Sequence, residues 1–152
     1  MAGLRFSLTI APTATGTSKQ TMVQLLAPTN QRVKVKGWSF SFDGTSNTAV
    51  PITCTVEKQT TAGGGSPTSL TPVKLDPDWH ETIQSTAIQN QNNSTQPTLG
   101  AIERQQKVHP QGAWEELLPA GEEILVPGGT RLGFTCTAAS GVNAIVEVIC
   151  EE

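Results

Sequence analysis

The stretch RVKVKGWSFSF, running from Arg32 to Phe42, decides the fold. Val33 and Val35 fall at odd positions, whereas Trp38, Phe40 and Phe42 fall at even ones. Alternation with a period of two marks an extended strand. A one-residue slip turns every side chain to the other face, so both halves can meet one core only around an inserted residue. Gly37 stands at the change of phase, and glycine tolerates such a distortion best. A β-bulge at or beside Gly37 is therefore predicted. This strand carries the densest aromatic cluster of the chain, which places it centrally.

Outward from this strand the same period recurs. Leu4, Phe6, Leu8 and Ile10 alternate with Arg5, Ser7 and Thr9. Thr21 to Leu26 forms another apolar segment, closed by Ala27-Pro28. Ile52, Cys54 and Val56 alternate with Thr53, Thr55 and Glu57. Near the end, Glu123 to Val126 is a short strand. Leu132, Phe134 and Cys136 follow, then Val142, Ala144, Val146, Val148 and Cys150. Asn143, Ile145, Glu147 and Ile149 oppose the last set, so that strand is expected to be partly covered on both faces. Asp43-Gly44, Pro127-Gly128-Gly129 and Ser140-Gly141 supply the turns. The reading is all-β: one antiparallel β-sandwich domain over residues 1–152, jelly-roll-like in order. Its core is expected to hold Trp38, Phe40, Phe42, Ile52, Val56, Leu132, Phe134 and Val146.

Three segments break the pattern. Residues 1–5 read as a short N-terminal arm. TTAGGGSPTS, residues 60–69, reads as a flexible linker; no Gly-Lys-Ser/Thr follows, so it is no phosphate loop. Residues 70–118 read as a long irregular excursion, with short strands at Arg104 to His109 and Ala113 to Leu118 joined by Pro110-Gln111-Gly112.

Composition narrows the function. Charged residues make up 15% of the 152 residues, and the net charge is −3. An average soluble domain carries about 25%. Thr, Ser, Gln and Asn fill the difference, a surface suited to packing against other protein. Arg32, Lys34 and Lys36 are the densest basic stretch and share one side of a strand. Nucleic-acid binding by charge neutralisation is not expected. The opening MAGLRFSLTIAPTATG lacks the apolar run of a signal peptide, and no stretch has the length of a transmembrane helix. A protein made in a reducing cytoplasm, without a membrane partner, is expected. Cys54, Cys136 and Cys150 lie within alternating strands and form no CxxC pair. They read as reduced core thiols with no disulfide among them.

No catalytic, cofactor-binding or metal site emerges, and the chain is expected not to be an enzyme. Asp76, Asp78 and His80 alternate in LDPDWH and could in principle face a metal, but Asp-Pro opens turns and the turn reading is preferred. His109 precedes proline, no Gly-x-Ser-x-Gly is present, and no nucleophile–base pair is visible. Glu115-Glu116 and Glu122-Glu123 point to opposite faces on a strand and read as solvated edge charges. Asn92-Asn93-Ser94-Thr95 contains glycosylation sequons, which matter only on a secretory route. Trp79 and Trp114 lie outside the regular strands. They either plug the ends of the sandwich or form an interface.

The runs KVKGWSFSFDGT (34–45), EKQTTAG (57–63), TPVKLDP (71–77) and KVHPQGAWEELLPAGEEILVPGGTRLGFTCTAASGVNAIVEVICEE (107–152) resemble a family of small virion proteins of tailed bacteriophages. The resemblance covers nearly the whole chain and is weakest from Gln84 to Gln96. It implies a capsid cement or decoration protein, a homotrimer on the outer surface of the head. It would be made in the host bacterial cytoplasm and would clamp the major capsid protein without a cofactor. Leu4 and Arg5 of the arm, with Trp79 and Trp114 of the excursion, are the expected contact residues. The competing reading is a tail or fibre-tip module that recognises a host surface glycan through Trp79 and Trp114, with Asp76, Asp78 or Asn92 nearby.

Overall fold

The computed structural model describes residues 3–89 and 95–152. Among them thirteen strands form and no helix. They are β1 (Arg5–Thr9), β2 (Thr13–Ala14), β3 (Gln20–Leu26), β4 (Val33–Phe42), β5 (Ile52–Gln59), β6 (Thr68–Leu70) and β7 (Val73–Lys74). After these come β8 (Thr86–Gln89), β9 (Leu99–Val108), β10 (Ala113–Leu117), β11 (Ile124–Val126), β12 (Arg131–Thr137) and β13 (Asn143–Glu151).

All pairings are antiparallel and divide between two sheets. The first runs β10-β4-β13-β1-β7, with β11 also on β4 and β2 also on β13. The second runs β6-β8-β3-β12-β5-β9. The longer strands stand in the order β1-β13-β4-β10 facing β3-β12-β5-β9. This is the double Greek-key winding of a jelly roll, as the alternation predicts.

Between the sheets lie the apolar sides of every long strand except β9. Phe6 and Leu8 of β1, Trp38 and Phe40 of β4, and Val146 and Val148 of β13 are buried from one side. Val23 and Leu25 of β3, Ile52 and Val56 of β5, and Leu132 and Phe134 of β12 are buried from the other. Phe134 joins the two layers: its ring centroid lies 6.2 Å from that of Trp38 and 6.4 Å from that of Phe40. Phe42 is only partly buried, packing at the margin of this core.

The bulge falls where the phase change places it. Ile149 of β13 pairs with Gly37, yet the next residue, Cys150, pairs with Val35. Lys36 is the inserted residue, so Val35 and Trp38 both reach the core. Glycine at 37 has a second cause. A β-carbon there would sit 2.6 Å from Leu117 Cδ2 and 2.7 Å from the Glu116 carbonyl oxygen.

Three expectations need correction. The described part of the arm is not free: Leu4 is 2% exposed, and its amide and carbonyl both bond with Glu152. Met1 and Ala2 lie outside the described residues. The excursion over 70–118 contains a ten-residue strand, β9, paired with β5 from Ile52↔Val108 to Gln59↔Leu99. Its side chains are nearly all exposed, so no alternation betrayed it. The 60–69 linker is anchored, since the Thr61 carbonyl accepts from Gln24 Nε2 at 2.9 Å. On the far side of β5, Thr55 and Glu57 are buried in a polar layer outside the second sheet.

Candidate functional site

The outward face of the first sheet is the surface that stands out. Strand register lines up Leu117, Gly37, Ile149, Ser7 and Val73 in one row across β10, β4, β13, β1 and β7. Leu117 is 65% exposed and Val73 61%. With no side chain at Gly37 and a small one at Ser7, the row is low at those points and raised at its ends. Leu125 of β11 and Ile145 of β13 add exposed aliphatic surface on the same sheet.

A charged row borders this apolar one. Leu125 pairs with Lys34, Lys34 with Glu151, and Glu151 with Arg5. The bulge pushes Lys36 into the row. Its Nζ lies 3.2 Å from Glu123 Oε1 and 3.3 Å from Glu151 Oε2, while Lys34 Nζ lies 3.4 Å from Glu151 Oε1. The hydrogen bond to Glu123, then Glu151, raises the Lys36 pKa against the opposing effect of burial. Glu123 is lowered by its own amide and that of Gly121, then by Lys36. At Glu151 burial disfavours the charge, but Lys36 and Lys34 outweigh it and hold the carboxyl low. Glu123 is thus a held residue and not the freely solvated charge expected from sequence.

The expected contact residues separate. Trp114 is 6% exposed. It stacks on Phe40 at 5.6 Å and meets Trp38 edge-on at 5.5 Å. It completes the core because β10 turns it inward opposite Phe40. Leu4 is likewise a core residue. Arg5 is exposed on β1, and Trp79 is half-buried, its Nε1 donating to Glu81 Oε2 at 3.1 Å. Trp79 follows β7 and Trp114 belongs to β10, the opposite ends of the first sheet. They make no shared platform for a sugar ring.

The remaining candidates have local explanations. Asp76 Oδ1 accepts from the Asp78 amide at 3.1 Å, the side-chain turn that Asp-Pro favours. Among the described residues, no three His, Cys, Asp or Glu side chains group to hold a metal. His109 Nδ1 accepts from the Gln111 amide within its turn. Arg104 lies 3.6 Å from Glu116, a loose surface pair. The sequon residues Asn92, Asn93 and Ser94 lie outside the described residues, whereas Thr95 bridges Gly64. All three cysteines are buried and free, and Cys54 faces Cys136 across β5 and β12. Contact with Cys54, then burial, pushes the Cys136 thiol pKa well up; burial does the same to Cys150.

Sequence reasoning missed the polar layer on the outside of the second sheet. Gln24 Nε2 donates to Gln59 Oε1 at 2.6 Å, and Gln59 Nε2 donates to Thr21 Oγ1 at 3.0 Å. Glu57, 1% exposed, takes Lys19 Nζ at 2.8 Å and the Thr135 hydroxyl at 3.0 Å. The Gln96 side chain returns onto the Thr21 amide at 2.8 Å. The signal available was glutamine at alternate strand positions among β-branched neighbours.

No protein-family model matches the chain, and neither a curated protein nor a solved structure matches it.

Proposed function

We propose that this chain is a structural protein of a bacteriophage virion, a non-catalytic decoration protein that binds the outside of the head and ties major capsid proteins together. The observation that carries the reading is the outward face of the first sheet. Exposed aliphatic side chains on the open face of a hydrogen-bonded sheet suit contact with other protein. The jelly-roll winding, which recurs in capsid proteins among other classes, supports it. So do the low charge content and the resemblance of the sequence to phage virion proteins. Closed rings are the usual form of homo-oligomers, and the resemblance implies a trimer here. High copy number on a shell then supplies avidity from modest contacts.

The contact surface differs from the one the sequence suggested. Leu4 and Trp114 are removed from it by burial; Arg5 remains, beside Leu117, Val73 and Leu125. Because Lys34, Lys36, Glu123 and Glu151 of this face already pair with one another, binding depends weakly on salt. Purified particles washed in graded salt and imaged at low resolution test this. Retained copies in the hundreds, spread over the head, are expected. Release at modest ionic strength, or a position confined to the tail, overturns the reading. Sedimentation of the free protein tests the trimer separately.

A further inference from the structure

The geometry points to a seat for a lysine side chain of a partner protein, in the recess over Ser39 on the outward face of the first sheet. This rests on the proposed function, whose contact face it is, and names the chemistry of the partner there. Strand register sets three rows across β10, β4 and β13: Leu117–Gly37–Ile149, Glu115–Ser39–Glu147 and Ala113–Ser41–Ile145. On this stretch β4 contributes only glycine and serine, so it floors a trough whose walls are β10 and β13. The recess within the trough holds about 40 Å³ and is bordered by Ser39, Glu115, Leu117, Glu147 and Ile149 among others.

The two glutamates decide what the recess takes. They stand on either side of Ser39, and neither has an ion pair or a side-chain hydrogen bond among the described residues. Glu123 and Glu151 of the same face are both held by lysines. Glu81 and Glu152 also share a cleft, but each already accepts a hydrogen bond, from Trp79 Nε1 and from the Gln84 amide. A lone unpaired acid is a solvated charge; here two converge on one hollow with aliphatic walls. Glu115 is exposed and Glu147 partly so, which leaves both open to an incoming group. Their backbones stand two strand spacings apart, about 10 Å. Both flexible side chains can therefore lean onto one ammonium, which would receive a charge-assisted bond from each side. Leu117 and Ile149 would cover the aliphatic stem, as lysine stems lie along apolar surface. Size favours lysine over arginine. A water molecule takes about 30 Å³ in the liquid; an ammonium is similar, whereas a planar guanidinium is larger. A calcium ion wants about six oxygen ligands or more, and this recess offers two carboxylates and one hydroxyl. A second copy in two-fold contact would set acid against acid. The lysine thus belongs to a different protein, which in the virion reading is the major capsid protein. A single pair enclosed by leucine and isoleucine is screened little, so the salt dependence stays weak.

Amide NMR spectra of the whole protein, titrated with a capped alanine-lysine-alanine peptide and its arginine and norleucine counterparts, test the inference. The lysine peptide is expected to shift the amides of Ser39, Glu115, Leu117 and Glu147 in a saturable way. The arginine peptide should bind several-fold more weakly, and the norleucine peptide should not bind. Glu115→Gln and Glu147→Gln together should weaken lysine binding at least about tenfold, a loss of about 1.4 kcal/mol. Ser39→Val keeps both charges and fills the recess. It should weaken binding as much, and it carries the test if the double glutamine variant does not fold. Equal shifts with norleucine, tighter binding of arginine, or unchanged affinity in both variants would overturn the inference. Heads that retain the double glutamine variant as well as the wild type would overturn it too, and would leave the virion reading in place. A lysine peptide that binds a protein absent from the head would uphold the site and overturn the virion reading alone.

Discussion

The carboxamide of Gln59 lies flat on Gly133, so close that a β-carbon at 133 would collide with its Cδ and Nε2. The contact is across the β5–β12 pair, on the outside of the second sheet. It lets Gln59 stay buried while its amide links Gln24 to Thr21. Gly133→Ala should therefore destabilise the fold by about 1–3 kcal/mol, the usual cost of overpacking. Gln59→Ala should cost about 1–3 kcal/mol for each buried partner left unsatisfied. Combining the two should cost less than their sum, because the alanine at 133 then meets empty space. Urea unfolding of the three variants measures this; strict additivity would show that the stacking has no energetic part.

Gly37 is fixed by its neighbours as well as by the bulge. Its absent β-carbon is the space that Leu117 Cδ2 and the Glu116 carbonyl occupy. Gly37→Ala should lose about 1–3 kcal/mol. Part of this should return in Gly37→Ala/Leu117→Ala, since one of the two clashes is with a side chain. A wild-type melting temperature for Gly37→Ala would contradict the geometry.

Phe134 touches both Trp38 and Phe40 across the sandwich. Truncation to alanine opens a cavity at the centre of the core and should cost about 3–5 kcal/mol. Denaturant midpoints at constant slope would report it. A loss below about 1 kcal/mol would mean that the two sheets are not joined there.

Cys54, Cys136 and Cys150 should resist alkylation in the folded protein, since all three are buried and the thiolates of Cys136 and Cys150 are disfavoured. Reactivity requires the thiolate and access to it. Unfolding without reductant should expose all three to labelling, read by intact mass. A single labelled thiol would reveal a disulfide and refute the assignment.

The Lys36 cluster gives stability a pH signature at both extremes. Glu123 and Glu151 are held below their ordinary value of 4.5. Their contribution is complete above that value and is lost as pH falls through the lower folded values. Lys36 is held above 10.5, so its contribution is complete below 10.5 and is lost as pH rises through the folded value. Lys36→Met should flatten the alkaline limb and shrink the acid limb. Some acid dependence should persist because the Gly121 amide still holds Glu123. Urea midpoints against pH check this; unchanged limbs in the variant would dismiss the cluster.

Much of this fold was legible because a buried strand writes its orientation into the chain. Phe6, Leu8, Trp38, Phe40, Phe134 and Val146 all sit where period-two alternation places them, and the lost beat between Val35 and Trp38 located the bulge. Strand β9 was not legible. It pairs through its backbone along one edge while its side chains stay in water, so nothing selects an apolar period. Trp114 was misassigned for a related reason: β10 is short, and one buried residue in five makes no pattern. The candidate surface was hardly legible at all, since Leu117, Ile149 and Val73 come into one row only through pairing.

What the sequence determined by itself was the class of fold and the identity of its core, because both follow from local alternation and turn chemistry. Tertiary structure alone decided which outward residues stay outward. Glu57 and Gln59 occupy solvent-side positions of β5, yet Lys19, Thr135, Gln24 and Thr21 come from distant segments to satisfy them. A polar group can be buried when partners replace water, and those partners are supplied by topology, which no local pattern contains.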